Sequence, residues 1–160
     1  MEIERKFLLR AHPPALADAP AHIIVQGYLA LTQEGVEVRV RRKDDRTFLT
    51  VKHGASLART EVELPLPSDG WDALWPLTAG RRLRKTRREL PGPDGLTLEV
   101  DLYEDTLAGL EVVEVEFPDE AAAGRFQPPD WFGREITGDP EFRNETLTRG
   151  GLPASYRPAV

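Results

Sequence analysis

Four segments of the sequence carry pairs of acidic residues spaced two apart, with hydrophobic residues beside them. The pairs are Glu2/Glu4, Glu61/Glu63, Glu99/Asp101 and Glu114/Glu116. Residues two apart in an extended strand point to the same side, so each pair directs two carboxylates one way and its apolar neighbours the other. Hard divalent cations such as Mg²⁺ and Mn²⁺ bind carboxylate oxygens. The four pairs therefore indicate a site for such a cation.

Basic residues follow the same alternation on other segments. They are Lys6, Arg39, Arg41, Lys52, Arg59, Lys85 and Arg87, and Glu37 shares the face of Arg39. Arginine binds phosphate oxygens as a planar fork and lysine as a point charge. Carboxylates that hold a metal, beside bases that hold a polyanion, make a phosphoanhydride bond electrophilic. No G-x-x-x-x-G-K-[ST] loop occurs, which excludes P-loop chemistry.

The same alternation also fits an ordinary antiparallel sheet with one wet face and one packed face. Two features favour a site instead. The polar face is almost entirely ionisable, and it places like charges side by side, which costs free energy across strands and more so in a concave site. A divalent cation and a polyanion would offset that cost.

The pattern predicts eight strands, at 2–9, 22–32, 36–42, 47–53, 58–65, 81–89, 96–103 and 110–117. Short turn-rich connections make neighbouring strands antiparallel. Helices are predicted at 68–77, with an N-cap signal at Ser68-Asp69, at 118–126, and over a shorter stretch at 139–148. Segments 10–21 and 150–160 are expected to be a loop and a loosely held tail. Strand 81–89 carries bases on both faces, so its inward side is ambiguous.

Several other residues are expected to have packing or surface roles. Trp71 and Trp75 lie four apart on the first predicted helix, which favours core packing. Arg81, Arg82, Arg84 and Arg88 are expected to be solvated or paired, and the three histidines show no ligand spacing. Arg143 is expected to reach the mouth of the site.

Composition bounds the remaining possibilities. The 160 residues are expected to form one domain, 1–160, and they contain no cysteine, which excludes disulfides and thiolate chemistry. We expect a cytoplasmic protein without a secretory leader or a membrane span. The net charge of −6 argues against nonspecific nucleic acid binding. The sequence does not decide between a monomer and a homodimer.

The order of the charged motifs resembles a known superfamily. Glu2-x-Glu4-x-Lys6 is followed by Glu37-x-Arg39-x-Arg41, Thr50-Val51-Lys52, Glu61-x-Glu63, Lys85-x-Arg87, Glu99-x-Asp101 and Glu114-x-Glu116. This series is similar to that of the CYTH superfamily, the triphosphate tunnel metalloenzymes. Gln26-Gly27-Tyr28-Leu29, Leu74-Trp75-Pro76, Gly80-Arg81-Arg82 and Trp131-Phe132-Gly133 further resemble the short bacterial members that hydrolyse inorganic tripolyphosphate.

The resemblance implies an α+β, mainly β fold, an eight-stranded antiparallel β-barrel that forms a charged tunnel with helices packed outside. The implied ligands of Mg²⁺ or Mn²⁺ are Glu2, Glu4, Asp101, Glu114 and Glu116. The implied triphosphate-binding residues are Lys6, Arg39, Arg41, Lys52, Lys85 and Arg87, and Lys6, Glu4 and Lys85 are the implied catalytic residues. Tunnel positions whose role stays open are Glu37, Arg59, Glu61, Glu63, Glu99 and Tyr28. Val112 departs from some relatives, which carry a glutamate there.

The function expected from this resemblance is a divalent-metal-dependent triphosphatase that cleaves tripolyphosphate to pyrophosphate and phosphate. A class IV-type adenylate cyclase, or a hydrolase of ATP or thiamine triphosphate, would use the same tunnel. A noncatalytic polyphosphate-binding module is the third alternative. It is disfavoured because binding alone needs only the bases.

Overall fold

A closed antiparallel barrel dominates the computed structural model, which describes residues 1–54 and 57–156. Its strands are β1 (Glu2–Leu9), β2 (Ala21–Leu31), β3 (Val36–Lys43), β4 (Arg46–His53), β5 (Ala58–Pro65), β6 (Arg82–Pro91), β7 (Thr97–Tyr103), β8 (Glu111–Glu116) and β9 (Phe132–Glu135). The strand order is β5-β4-β3-β2-β6-β7-β8-β1, closed by pairing of β1 with β5. This confirms the predicted eight-stranded barrel. Strand β9, which the sequence did not predict, adds to β1 on the outside of this circuit.

The seam between β1 and β5 is short. Only two residue pairs, Glu2 with Arg59 and Ile3 with Ala58, join the two strands, and the Glu4 N–H adds one hydrogen bond to the Leu57 carbonyl. The seams elsewhere in the circuit contain five to eight pairs. The barrel is therefore closed along one narrow contact.

Alternation of apolar and ionisable residues sets the phase of β1. Ile3 and Phe7 point outward and are buried in the main hydrophobic core, whereas Glu2, Glu4 and Lys6 point into the barrel. An ionisable interior inverts the usual small barrel, whose inner face is filled with apolar side chains. The phase predicted for the first strand is confirmed.

Strand β6, whose inward face the sequence left ambiguous, directs Lys85 and Arg87 into the barrel. Both are buried, and Arg87 lies opposite Asp101 of β7. The outward bases bind backbone carbonyls or an exposed carboxylate: Arg82 binds Trp75 O, Arg84 binds Glu104, and Arg88 binds Ala17 O and Ala19 O. The pairing of β6 with β7 thus identifies the inward face of β6, which the alternation of residues within β6 alone does not define.

Helices cover parts of the outer surface. Helix α1 (Ser68–Leu74) continues as a 3-10 helix to Thr78, α2 spans Glu120–Arg125, and α3 spans Asn144–Gly150. Asp119 caps α2 by accepting the Ala122 N–H. The predicted helices 68–77 and 118–126 are confirmed, but the predicted cap at Ser68 is wrong, because Pro67 occupies the cap position without a side-chain bond. The third predicted helix is divided into a 3-10 turn at Pro140–Phe142 and α3.

The outer layer packs through aromatic side chains. Trp71 is buried and stacks on the half-buried Trp75 with ring centroids 4.8 Å apart, which confirms the predicted packing role. The 3-10 helix approaches the barrel closely at Gly27, where a Cβ would lie 2.5 Å from Thr78 atoms. None of the helices in the described ranges is both long and apolar enough to cross a membrane.

The C-terminal segment, residues 136–156, closes one end of the barrel interior. Apolar side chains from this segment pack with inward-facing residues of the strands; the cluster contains Leu8, Leu83, Tyr103, Val112, Ile136, Phe142, Leu147 and Tyr156. The Tyr156 hydroxyl donates to the Gly109 carbonyl. The expectation of a loosely held tail is therefore wrong as far as Tyr156, and residues 157–160 lie outside the described ranges. The segment separates an apolar end from the charged interior.

Candidate active site in the barrel interior

A cavity of about 260 Å³ lies between the charged barrel wall and the C-terminal segment. The predicted site residues that line it are Glu4, Lys6, Tyr28, Glu37, Arg39, Arg41, Lys52, Arg59 and Glu114. Alternation on β1, β3, β4 and β8 is what points these side chains inward. The structure thus gathers residues that are up to 110 positions apart in sequence around one volume.

An ion-pair network centred on Asp101 does not itself line the cavity but contacts the lining residue Glu114. The Asp101 carboxylate is fully buried between Lys85, whose Nζ lies 2.5 Å from Oδ2, and Arg87, whose Nε lies 2.7 Å from Oδ1. Burial would raise the pKa of Asp101, but Arg87 and Lys85 lower it by more. Burial lowers the pKa of Lys85 to about 8, against the opposing effect of Asp101. Asp101 therefore fixes the two bases in position.

Glu114 joins this network to β1. One of its oxygens lies 3.2 Å from Lys6 Nζ, and the other lies 3.0 Å from Arg87 Nη2. Burial alone would raise the pKa of Glu114, but Lys6, Lys85 and Arg87 hold it well below the ordinary value. Burial likewise would lower the pKa of Lys6, and Glu114 and neighbouring carboxylates raise it instead. Glu114 is thus an ionised carboxylate shared by bases of two strands.

A second ion-pair group lies nearer the β1–β5 seam. Lys52 Nζ is 2.9 Å from Glu2 Oε1 and 3.7 Å from Glu61 Oε2. Burial and the contact with Glu61 raise the pKa of Glu2, although Lys52 opposes them. Glu37 contacts Arg59 at 3.3 Å and Arg39 at 3.9 Å. These contacts place Glu37, Arg59 and Glu61, whose roles the sequence left open, in the wall of the site.

Glu4 has no comparable counter-ion. Among residues 1–54 and 57–156, no basic nitrogen lies within the 4.0 Å of an ion pair. Burial raises the pKa of Glu4, and the nearby carboxylates of Glu114 and Glu2 add to that effect. A buried carboxylate beside two like charges is stabilised by any cation that reaches it.

Arg41 is the converse case, a base without an acidic partner. Within the described residues no carboxylate pairs with it, and its Nε donates instead to Gln26 Oε1 at 3.0 Å. Burial and the neighbouring Arg39 and Arg87 lower the pKa of Arg41 to about 10. A cluster of cations without a matching acid is stabilised by an anion. Among the described residues, Glu4 is therefore an acid and Arg41 a base of the cavity lining without an ion-pair partner.

The chemistry of the donors supports a divalent cation near Glu4. In the part of the chain that the structure describes, no three acidic or histidine side chains stand close enough together to hold a metal as they are arranged. Burial nevertheless raises the pKa of Glu4, and the nearby carboxylates of Glu114 and Glu2 raise it further. Carboxylate oxygens are the ligands that Mg²⁺ and Mn²⁺ select. The residues present fit such an ion.

Some predicted residues lie away from this cavity. Glu63 and Glu116 are exposed, and Glu116 lines a second cavity together with Glu89 and Glu99. Asp101 is already engaged by two bases. The metal-binding role of Asp101 and Glu116, and the open roles of Glu63 and Glu99, stay predictions.

Several residues of the interior were not predicted as site residues. Gln26 is fully buried on the inward face of β2, between Ile24 and Tyr28 on the same face. Its place in the Gln26-Gly27-Tyr28-Leu29 motif was the one signal that could have identified it. The C-terminal segment contributes Thr137, Asn144 and Glu145, and also Arg143, whose position at the cavity agrees with the expectation. No motif marked the first three.

Arg5 and Lys6 test the phase of β1 directly. Arg5 points outward, pairs with Glu135 at 2.8 Å and donates to the carbonyls of Ala123 and Phe126. We expect Arg5→Ala to lower the free energy of unfolding by about 1–2 kcal/mol through these lost bonds while keeping activity at a temperature where it is folded. Lys6→Ala should lose the phosphate release expected of the protein. Denaturant unfolding and a phosphate-release assay on both variants check this, and an inactive but folded Arg5→Ala protein would contradict it.

Comparisons with known proteins agree with this geometry. The chain is 40% identical over 148 residues to an inorganic triphosphatase of Nitrosomonas europaea, covering 91% of this chain and 95% of the relative. It is 35% identical over 150 residues to an inorganic triphosphatase of Acetivibrio thermocellus, covering 92% of this chain and 93% of that protein. No family model matches the chain.

Solved structures share the fold. The crystal structure of the inorganic triphosphatase NE1496 superposes with a TM-score of 0.70 at 37% identity, over 96% of this chain and 97% of that one. A protein from Hippeastrum described as a putative adenylyl cyclase with a dominant triphosphatase activity matches with a TM-score of 0.53 at 19% identity, over 78% and 83% of the two chains. At that identity the second match speaks for the fold alone.

Proposed function

Since the chain belongs to the inorganic triphosphatases, within the CYTH superfamily of triphosphate tunnel metalloenzymes, we propose that its barrel cavity binds inorganic tripolyphosphate and cleaves it with a divalent metal. The protein is a hydrolase of phosphoanhydride bonds. The products of the proposed reaction are pyrophosphate and phosphate.

The observation that carries this proposal is the unneutralised charge of Arg41. Its guanidinium lies beside Arg39 and Arg87, without a carboxylate partner in the described residues, and burial with these cations depresses its pKa to about 10. A linear triphosphate supplies the missing negative charge and several acceptor oxygens in one ligand. The proposed binding set is Lys6, Arg39, Arg41, Lys52, Lys85 and Arg87.

Glu4, with Glu2 and Glu114, would hold Mg²⁺ or Mn²⁺ at the acidic side of the cavity. When bound, the ion would polarise a phosphoryl oxygen and lower the pKa of an attacking water. Lys6, which lies 3.2 Å from Glu114, sits where it can bind an oxygen of the same phosphoryl group. The carboxylates and Lys6 would therefore act on one end of the substrate.

Lys85 is the base best suited to act at the other end of the bond. Its pKa of about 8 lets it hold a proton at neutral pH and approach a value useful for proton transfer. Asp101 and Arg87 keep its ammonium group oriented. We assign to Lys85 the neutralisation of charge on the leaving pyrophosphate, and to Tyr28 a hydrogen bond to the substrate from its hydroxyl.

Phosphate release from tripolyphosphate, with Mg²⁺, with Mn²⁺ and with a chelator, tests the proposal. Release should require a divalent ion and fall to background with the chelator. ATP and thiamine triphosphate belong in the same panel, with cyclic AMP measured for ATP. Release without metal, or tight tripolyphosphate binding with no turnover under any divalent ion, would contradict the proposed function. Formation of cyclic AMP would point to the cyclase alternative.

Two further expectations stay predictions from the sequence: a cytoplasmic location and no nucleic acid partner. The sequence leaves open whether the chain is a monomer or a homodimer.

A further inference from the structure

Gln26 is an uncharged side chain in the middle of a charged interior. It is fully buried on β2, lies opposite Arg41 of β3 in the sheet register, and shares its face with Tyr28 two residues along. Its Oε1 accepts the Arg41 Nε hydrogen at 3.0 Å, and its Nε2 donates to the Tyr28 hydroxyl at 3.0 Å. The Gln26 amide thus links Arg41 to Tyr28, both of which line the cavity.

The direction of both hydrogen bonds follows from the chemistry of the groups. A guanidinium nitrogen only donates, so the amide oxygen of Gln26 must face Arg41 and its NH₂ must face Tyr28. The Tyr28 oxygen therefore accepts from Gln26. It also interacts with the guanidinium of Arg39, another obligate donor. With its oxygen accepting, the phenol keeps its own hydrogen for a different partner.

An acceptor for this hydrogen can approach from the cavity side. Tyr28 lines the cavity, and burial with the nearby Glu37 raises its pKa to about 12, so its hydroxyl stays protonated. A triphosphate oxygen in the cavity is an acceptor for this hydrogen. Arg41, held at its Nε by Gln26, is left with its terminal nitrogens for the same ligand.

We propose that Gln26 is a positioning residue for catalysis: it fixes the guanidinium of Arg41 and turns the Tyr28 hydroxyl into a donor toward the triphosphate. The inference rests on the proposed function, because it assigns both groups to that substrate. Gln26 itself is not assigned a contact with the substrate. A role confined to packing would affect folding without changing how the enzyme treats its substrate.

Gln26→Met tests the proposal, because methionine keeps the length of the side chain and removes both hydrogen bonds. We expect kcat/KM for tripolyphosphate to fall about tenfold or more, as for loss of hydrogen bonds to charged or functional groups. The matched control is Thr78→Val, which also removes two hydrogen bonds of one buried side chain: the Thr78 hydroxyl donates to the Trp75 carbonyl and accepts from Arg82 Nε, on the outer side of β2 at Gly27. Thr78→Val should lower thermal stability but leave kcat/KM unchanged within about twofold.

A double-mutant cycle separates positioning from packing. If Gln26 acts through Tyr28, the loss caused by Gln26→Met should shrink by about threefold or more in a Tyr28→Phe background. The same reduction is expected in an Arg41→Lys background, because lysine has no Nε hydrogen for Gln26 to hold. Equal losses in all three backgrounds would overturn the proposal.

Folding and function can be kept apart in this test. If Gln26→Met does not fold, as judged by its thermal unfolding transition, Gln26→Asn replaces it, because the shorter amide stays polar but cannot reach both partners. A wild-type protein that does not hydrolyse tripolyphosphate contradicts the proposed function. An active wild type with an equally active Gln26→Met or Gln26→Asn variant overturns only the role of Gln26.

Discussion

Replacing Glu4 with glutamine is expected to reduce metal-dependent phosphate release by on the order of a hundredfold or more. Glu4 is a partly buried carboxylate of the cavity lining with no base within ion-pairing distance among the described residues, and its pKa is raised by burial and by Glu114 and Glu2. The amide keeps the shape of the side chain but is a much weaker ligand for a divalent cation. Initial rates with Mg²⁺ and with Mn²⁺ measure the loss.

A second measurement on the same variant distinguishes a metal ligand from a structural residue. Without added metal, Glu4→Gln should unfold at a higher denaturant concentration than the wild type, because it removes a buried charge that repels its neighbours. Glu34→Gln is the control, since Glu34 lies at the same cavity but is exposed. A Glu4→Gln protein that keeps full activity, or that is both inactive and destabilised, would contradict a metal-binding role.

Replacing Asp101 with asparagine is expected to lower the free energy of unfolding by about 3–5 kcal/mol, the range for breaking a buried ion pair from one side. The substitution leaves Lys85 fully buried without its carboxylate, and it lets Arg87 keep at most one of its two hydrogen bonds to this side chain, because one acceptor oxygen becomes an NH₂ donor. Denaturant unfolding without metal gives the value. Tripolyphosphate should stabilise Asp101→Asn more than it stabilises the wild type, because the ligand supplies the lost negative charge.

The control for Asp101 is an ion pair on the outside of the barrel, between Arg84 of β6 and Glu104, which follows the end of β7. Arg84 and Glu104 lie 3.2 Å apart and are both exposed, so Glu104→Gln should cost less than about 1 kcal/mol. If Asp101→Asn were no more costly than Glu104→Gln, the central role of Asp101 in the inner network would be wrong. If tripolyphosphate stabilised both proteins equally, the network would not be part of the binding site.

The barrel was predictable because alternation is a local property. On β1, Glu2, Glu4 and Lys6 are separated by hydrophobic residues or by Arg5, and this pattern defines which residues share a face. That the charged face is the inner one was implied by the resemblance to the CYTH superfamily, because alternation alone also fits a sheet with one wet face. Strand β6 has bases at successive positions, so its phase depends on pairing with Asp101 across the sheet, which the sequence of β6 does not contain.

The closure of the barrel end and the role of Gln26 depend on contacts between distant parts of the chain. Phe142 and Tyr156 lie in a segment broken by proline and glycine, with no period that marks it as part of the site. Gln26 carries no charge, so it stands outside the pattern of ionisable residues, although it belongs to the Gln26-Gly27-Tyr28-Leu29 motif. Its importance becomes visible only when β3 places Arg41 opposite it.

Because the seam between β1 and β5 is narrow, the strands around the cavity are not all held with equal rigidity. Local opening begins where few backbone hydrogen bonds must break, and here two residue pairs join the strand that carries Glu2 and Glu4 to its neighbour. Lys85 and Arg87, by contrast, lie on a strand with seven pairs on each side. Opening of the β1–β5 seam is therefore expected to move the strand that carries Glu2 and Glu4 relative to the strand that carries Lys85 and Arg87, and a cation held by Glu2, Glu4 and Glu114 would tie β1 to β8, on the side of β1 away from that seam.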